Sequence, residues 1–137
     1  MNTESITGNL LIVDDDEAVT RTFARMLTLE GHDVRTANSA EDGLRKAAMS
    51  RLDAIILDMR MPLINGLGFL YRLRAREGDD HHTPVVIVTG DYALQDDIAA
   101  ELRLLGAEVR FKPLWLEDLV SLTRTLLSDP GQSRVTH

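Results

Sequence analysis

Residues 10–16 read LLIVDDD, an apolar run that ends directly in three carboxylates. Two similar runs rich in Val and Ile occupy residues 54–57 and 85–88. Runs this short and this rich in β-branched residues are typical of strands buried on both faces of a parallel sheet. Weaker strand patterns at residues 33–37 and 108–111 bring the predicted number of strands to five.

Amphipathic helical patterns lie between these strands. In the first of them Val19, Phe23 and Leu27 recur at helical spacing, and the fourth carries Leu94, Ile98, Leu102 and Leu105. Ser39 is a predicted N-cap and Gly106 a predicted helix stop. Five strands that alternate with five helices predict an α/β fold, a three-layer sandwich around a parallel sheet.

Composition limits the classes of function. The 137 residues have the size of one domain and carry a net charge of −7, which argues against direct nucleic-acid binding. The sequence has no cysteine, so disulfides, Cys-ligated zinc and cysteine nucleophiles are excluded. No apolar run approaches the about 20 residues of a membrane span, so we expect a cytoplasmic protein without membrane contact. Polar stretches predict tails at residues 1–8 and 128–137 around a domain at residues 9–127.

Polar side chains follow four of the predicted strands. Asp14 and Asp15 follow the first strand, Asp58 the third, Thr89 the fourth and Lys112 the fifth. The carboxyl ends of parallel strands share one edge of the sheet, where such folds bind ligands. Carboxylates crowded together favour a cation, and oxygen ligands alone suit Mg²⁺. A carboxylate placed there can also accept a phosphoryl group, whose oxygens a lysine and a hydroxyl would bind.

The same motifs resemble the receiver domain of response regulators in two-component signalling. The resemblance covers roughly residues 9–127 and rests on LIVDDD at residues 11–16, ILDMRMP at residues 56–62, NG at residues 65–66, TG at residues 89–90 and FKPL at residues 111–114. It implies a flavodoxin-like sheet with strand order 2-1-3-4-5. It also implies a cis peptide bond before Pro113.

The resemblance implies a role for each residue of the site. Asp58 would be the phosphoacceptor, and Thr89 and Lys112 would bind the phosphoryl group. The implied ligands of Mg²⁺ are Asp14, Asp15, Asp58 and the backbone carbonyl of Arg60. The chain would therefore be a phosphoryl acceptor that catalyses its own phosphorylation and dephosphorylation, and not a turnover enzyme.

Partners also follow from the resemblance. The phosphoryl donor would be a phosphohistidine on a sensor histidine kinase or on a histidine phosphotransfer protein. We expect a stand-alone receiver that contacts a downstream protein through helix four, strand five and helix five. It would be a monomer or a dimer induced by phosphorylation.

Val109 and Arg60 bear on how the family's mechanism would operate in this chain. Val109 stands where the family usually has a Tyr or Phe that moves on phosphorylation, so a receiver-like interaction module that works without phosphorylation is the alternative. Arg60, two residues after Asp58, is expected to tune the lifetime of the phosphoryl group. Trp115 begins the fifth predicted helix on the expected output side, and packing in the core or at the edge is favoured there over a contact with a partner.

Two other functions fit the residues less well. A phosphatase with an aspartate nucleophile usually has a second acid where this chain has Arg60. A flavin-binding module needs a phosphate-binding loop after the first strand, where the carboxylates at residues 14–16 would repel the phosphate.

Overall fold

A computed structural model describes residues 7–77, 82–90 and 94–128 of the chain. Strands and helices alternate through these residues, as the sequence predicts. The strands are β1 (Asn9–Val13), β2 (Asp33–Ala37), β3 (Ala54–Asp58), β4 (Val85–Thr89) and β5 (Ala107–Phe111). The helices are α1 (Glu17–Leu29), α2 (Ala40–Met49), α3 (Gly66–Glu77), α4 (Asp96–Leu104) and α5 (Leu116–Ser128). Residues 1–6 and 129–137, most of the two expected tails, lie outside the described ranges.

The five strands form one parallel sheet in the order β2-β1-β3-β4-β5. This confirms the α/β class and the strand order that the resemblance implies. From β1 the chain first moves outward to β2 and then returns past β1 to β3. The order therefore reverses between β1 and β3, and the carboxyl ends of these two strands flank the crevice where open α/β sheets bind ligands.

Buried side chains fall into two clusters, one on each face of the sheet. Leu11 and Leu57 belong to the cluster that includes Phe69 of α3 and Leu102 of α4. The neighbouring strand residues belong to a second cluster with α1 and α5, whose members include Leu10, Ile12, Ile56, Leu27 and Leu119. Successive strand residues point to opposite faces, so a continuous apolar run supplies both clusters. Helices on both faces confirm the three-layer sandwich.

Local capping explains where the helices begin and end. Asp16 Oδ1 accepts a hydrogen bond from the Ala18 amide at 3.0 Å and so caps α1. Ser39 caps α2 in the same way, as predicted. Gly31 and Gly106 follow α1 and α4 with φ of 99° and 84°, a left-handed conformation that glycine adopts at little cost.

The structure corrects two details of the helical pattern. The fourth helix begins at Asp96, so Leu94 lies before the helix and not within it. Asp96 and Asp97 favour this start, because carboxylates in the first turn are stabilised by the positive end of the helix dipole. Trp115 lies just before α5, where its carbonyl accepts a hydrogen bond from the Leu119 amide, and its surface is 63% exposed. Packing of Trp115 in the core is therefore excluded, and packing at the edge of the domain stays a prediction.

Candidate functional site

Asp14 and Asp58 meet because β1 and β3 are neighbours. Val13 pairs with Leu57 across the two strands, so the residues that follow them lie side by side. Carboxylate oxygens of Asp14, Asp15 and Asp58 all lie within 4.8 Å of one another. Asp14 and Asp58 are buried, with 7% and 6% exposure, whereas Asp15 is exposed.

Lys112 supplies the nearby positive charge. Its Nζ lies 2.9 Å from Asp58 Oδ1. Burial alone would lower the pKa of Lys112, but the hydrogen bond and the charge of Asp58 outweigh burial and raise it above its usual value. The ammonium is therefore charged, and the Asp58–Lys112 pair offsets part of the repulsion between the carboxylates.

Crowding of negative charge is most evident at Asp14. Burial raises the pKa of this carboxyl to about 6, and the charges of Asp58 and Asp15 add to the effect. A hydrogen bond of 2.9 Å from the Asp16 amide to Asp14 Oδ1 opposes the rise but does not cancel it. The ionised form of Asp14 therefore gains stability from any cation that binds beside it.

Thr89 reaches the same edge of the sheet as the last residue of β4, with 1% exposure. Its carbonyl accepts a hydrogen bond of 2.8 Å from the Lys112 amide, so the ends of β4 and β5 are joined there. The peptide bond between Lys112 and Pro113 is cis, as the resemblance implies. Arg60 is exposed in the loop between β3 and α3, and the role of its carbonyl stays a prediction.

Asn38 is a residue of the site that the sequence analysis missed. Its Nδ2 donates hydrogen bonds to the Asp14 carbonyl at 3.0 Å and to Thr20 Oγ1 at 3.1 Å. These bonds join the end of β2 to the acidic loop and to α1. A signal was available in the sequence, because Asn38 directly follows the predicted second strand and so lies at the edge where the other polar residues gather.

The arrangement fits a hard divalent cation. The group offers one oxygen each from Asp14, Asp15 and Asp58, and one of these residues is exposed. Mg²⁺ prefers oxygen ligands, keeps several waters and accepts phosphate oxygens in its remaining positions. Three carboxylates at an open edge of the sheet leave room for those waters.

Comparison with known proteins agrees with this geometry. The family model for the response regulator receiver domain matches residues 10–124. The transcriptional regulatory protein PrrA of Mycobacterium tuberculosis is 33% identical over 133 residues, which are 97% of this chain and 55% of that protein. The response regulator MprA of Mycobacterium leprae is 35% identical over 118 residues, 86% of this chain and 50% of that protein. The chain thus spans about half the length of the curated relatives that it matches.

Solved structures of similar length have the same fold. The chemotaxis protein CheY4 of Vibrio cholerae superposes with a TM-score of 0.78 at 27% identity, covering 88% of this chain and 99% of that one. A CheY-like receiver domain protein of Methanospirillum hungatei gives a TM-score of 0.78 at 26% identity, covering 91% and 97%. Together with the family match, these relatives show that the chain belongs to the response regulator receiver domains of two-component signalling.

Proposed function

We propose that this chain accepts a phosphoryl group on Asp58 and passes the signal on by contact with another protein. The observation that carries the proposal is the 2.9 Å pair of Lys112 Nζ and Asp58 Oδ1 beside three carboxylates whose oxygens lie within 4.8 Å. A buried carboxylate, a charged lysine and a cation site in one crevice are the groups that phosphoryl transfer to an aspartate requires.

In the proposed reaction a carboxylate oxygen of Asp58 attacks the phosphorus of a phosphohistidine on the partner. The new bond joins that oxygen to phosphorus, the phosphorus–nitrogen bond breaks, and its electron pair returns to the imidazole. Mg²⁺, held by Asp14, Asp15, Asp58 and the Arg60 carbonyl, would neutralise negative charge on the phosphoryl oxygens. The Lys112 ammonium would exchange its bond with Asp58 for a phosphoryl oxygen, and the Thr89 hydroxyl would bind another.

The partners and the output belong to the same proposal. The donor would be a sensor histidine kinase or a histidine phosphotransfer protein in the cytoplasm, and the phosphorylated chain would act as a monomer or as an induced dimer. The chain would not be a turnover enzyme, because hydrolysis would remove only the phosphoryl group bound to its own Asp58. Within the described residues no helix has the length and apolarity needed to cross a membrane.

Arg60 offers a way to test how the phosphoryl group is lost. It is exposed two residues after Asp58, on the loop that leaves β3. The proposal is that its long side chain orders or excludes the water that attacks the aspartyl phosphate. Arg60→Ala is expected to change the half-life of the phosphorylated protein severalfold, measured by intact mass after removal of the donor. An unchanged half-life would contradict this role.

The proposal is tested by the intact mass of the protein after incubation with acetyl phosphate. We expect a gain of one phosphoryl group that requires Mg²⁺ and is absent in Asp58→Asn. Asp53→Asn is a matched control, because Asp53 lies just before the opposite end of the same strand, where it accepts a bond from the Asn9 amide. A gain that persists in Asp58→Asn, or no gain when Mg²⁺ is bound, would contradict the proposal.

A second candidate is an interaction module that works without phosphorylation. The observation that favours it is Val109, a half-buried residue of β5 that packs against the cluster containing Leu102. A valine offers no large ring to move when the site is occupied. Binding of a partner with the same affinity to the wild type, to the phosphorylated form and to Asp58→Asn would support this candidate.

A further inference from the structure

A cavity of about 400 Å³ lies beside the acidic crevice, on the face of the sheet that α1 and α5 cover. We call it the α1–α5 cavity. Its lining residues are Ile12, Val13, Asp14, Val19, Phe23, Ile56, Asp58, Val88, Lys112, Pro113 and Leu114. The cavity extends well beyond the metal site, because most of its lining is apolar and comes from residues that take no part in phosphoryl transfer.

The cavity is built from rigid elements. Ile12, Ile56 and Val88 form a floor on three neighbouring strands, and each is at most 5% exposed. Val19 and Phe23 line it from α1, and Leu114 from the segment before α5; all three are half-buried. An apolar cleft of this volume with a few polar groups converging at one end is the usual form of a small-molecule site.

The polar end of the α1–α5 cavity selects the charge of an occupant. Asp14 and Asp58 contribute two carboxylates there, and Lys112 contributes one ammonium. The Lys112 ammonium is already bonded to Asp58 at 2.9 Å, so the excess negative charge is at Asp14. An anionic group would face two carboxylates at close range, whereas an ammonium would gain a charge-assisted hydrogen bond.

We propose that the α1–α5 cavity binds a small apolar cation, with its hydrocarbon body against Ile56, Val88 and Leu114 and its ammonium at Asp14. A volume of about 400 Å³ suits a body of one ring with a short arm. The ammonium and Mg²⁺ would compete for the Asp14 carboxylate, so the ligand would oppose phosphorylation. This last consequence rests on the proposed function, whereas binding of the cation does not.

The test uses 2-phenylethylammonium, with 2-phenylethanol as a probe of the same shape without the charge. Both are titrated into the full chain without Mg²⁺ or a phosphoryl donor, and methyl NMR shifts of Ile12, Ile56 and Val88 are followed. We expect saturable shifts with a dissociation constant of about 1 mM or tighter for the amine, and binding about tenfold weaker for the alcohol. Absence of saturable shifts, or equal affinity for the two probes, would overturn the inference.

Variants that fill the cavity locate the binding. Leu114→Trp and Val19→Phe each place a larger side chain on a wall and are expected to weaken binding of the amine at least tenfold. Leu104→Trp, on α4 at a position 87% exposed, is the control and should bind as the wild type does. Circular dichroism verifies that each variant is folded, and Val19→Phe alone carries the test if Leu114→Trp does not fold. Unchanged affinity in a folded cavity variant would refute the assignment.

Failure of this inference and failure of the proposed function give different results. If the amine binds but Asp58 takes no phosphoryl group from acetyl phosphate, the cavity inference stands and the proposed function falls. If Asp58 is phosphorylated but the amine does not bind, the reverse holds. If both succeed, added Mg²⁺ must weaken binding of the amine; unchanged affinity at saturating Mg²⁺ would overturn the placement of the ammonium at Asp14.

Discussion

Removal of Arg74 is expected to destabilise the domain more than removal of any exposed arginine. Its side chain is 7% exposed at the end of α3. Nη1 lies 2.6 Å from Glu77 Oε1 and donates to the Thr83 carbonyl at 2.8 Å, and Nε donates to the Leu105 carbonyl at 2.6 Å. One guanidinium therefore joins α3 to the segment before β4 and to the turn between α4 and β5.

The magnitude follows from the groups that Arg74→Met would leave behind. The Glu77 carboxylate, 10% exposed, would lose its cation, and two carbonyls would lose a donor. Removal of one partner of a buried ion pair costs about 3–5 kcal/mol, and each unsatisfied buried group about 1–3 kcal/mol. These costs overlap, so we expect the free energy of unfolding to fall by about 3–5 kcal/mol.

Glu77 provides an independent check of the same network. Burial alone would raise the pKa of its carboxyl, but hydrogen bonds from Thr83 and Arg74 outweigh burial and hold the pKa below its usual value. Ionised Glu77 therefore stabilises the fold above its unfolded pKa, and this contribution is lost as the pH falls through the folded pKa. In Arg74→Met this dependence on pH should shrink or reverse, because the desolvated carboxylate then lacks its cation.

The assay is urea unfolding followed by circular dichroism, with Arg72→Met as the matched control. Arg72 is exposed on the same helix and bonds the Gly68 carbonyl within it, so its loss should change stability by less than about 0.5 kcal/mol. The double variant Arg74→Met/Glu77→Leu should lose less free energy of unfolding than the two single variants together, because it removes the buried carboxylate along with the guanidinium. A loss below about 1 kcal/mol for Arg74→Met, or strict additivity, would refute the reasoning.

Three further predictions concern other parts of the fold. His32 is 5% exposed, and its Nδ1 accepts a hydrogen bond from the Gly8 amide. Burial lowers the pKa of His32, so the stability of the wild type relative to His32→Leu should fall as the pH drops below about 6.5. Parallel pH profiles of the two proteins would contradict this. Asp16→Ala removes the N-cap of α1 and should cost about 1 kcal/mol in urea unfolding, whereas an unchanged midpoint would argue against the cap. Gly106→Ala adds a Cβ to a residue with φ of 84° and places it 3.2 Å from Arg74 Nη2, so the thermal midpoint is expected to fall. A midpoint that does not fall would show that the turn accepts alanine.

The sequence predicts the strands and the site for one physical reason. A strand buried on both faces must be a continuous apolar run, and the carboxyl ends of parallel strands must share an edge. Asp14, Asp58 and Lys112 are therefore expected from the sequence to meet at that edge, and they do. The strand order needed the resemblance to a family, because apolar runs of equal length carry no information about which strands are neighbours.

Features that depend on side chains from distant segments could not be predicted. Three arginines alternate along α3, and nothing in their spacing shows that Arg74 is buried while Arg72 and Arg76 are exposed. The burial of Arg74 depends on carbonyls from the turn after α4 and from the segment before β4. The α1–α5 cavity likewise depends on how three strands, one helix and the segment after the cis peptide fit together.

The central claim is that Asp58 carries the phosphoryl group, and mapping the acyl phosphate tests it most directly. Borohydride reduces an aspartyl phosphate to homoserine, and trypsin then cuts after Arg21, Arg51 and Arg60. The peptide 52–60 contains both Asp53 and Asp58, while Asp14 and Asp15, the other two carboxylates of the site, lie in the peptide 1–21. We predict homoserine at position 58, only after treatment with acetyl phosphate and Mg²⁺. Homoserine at position 53 or in the peptide 1–21, with aspartate intact at position 58, would contradict the account.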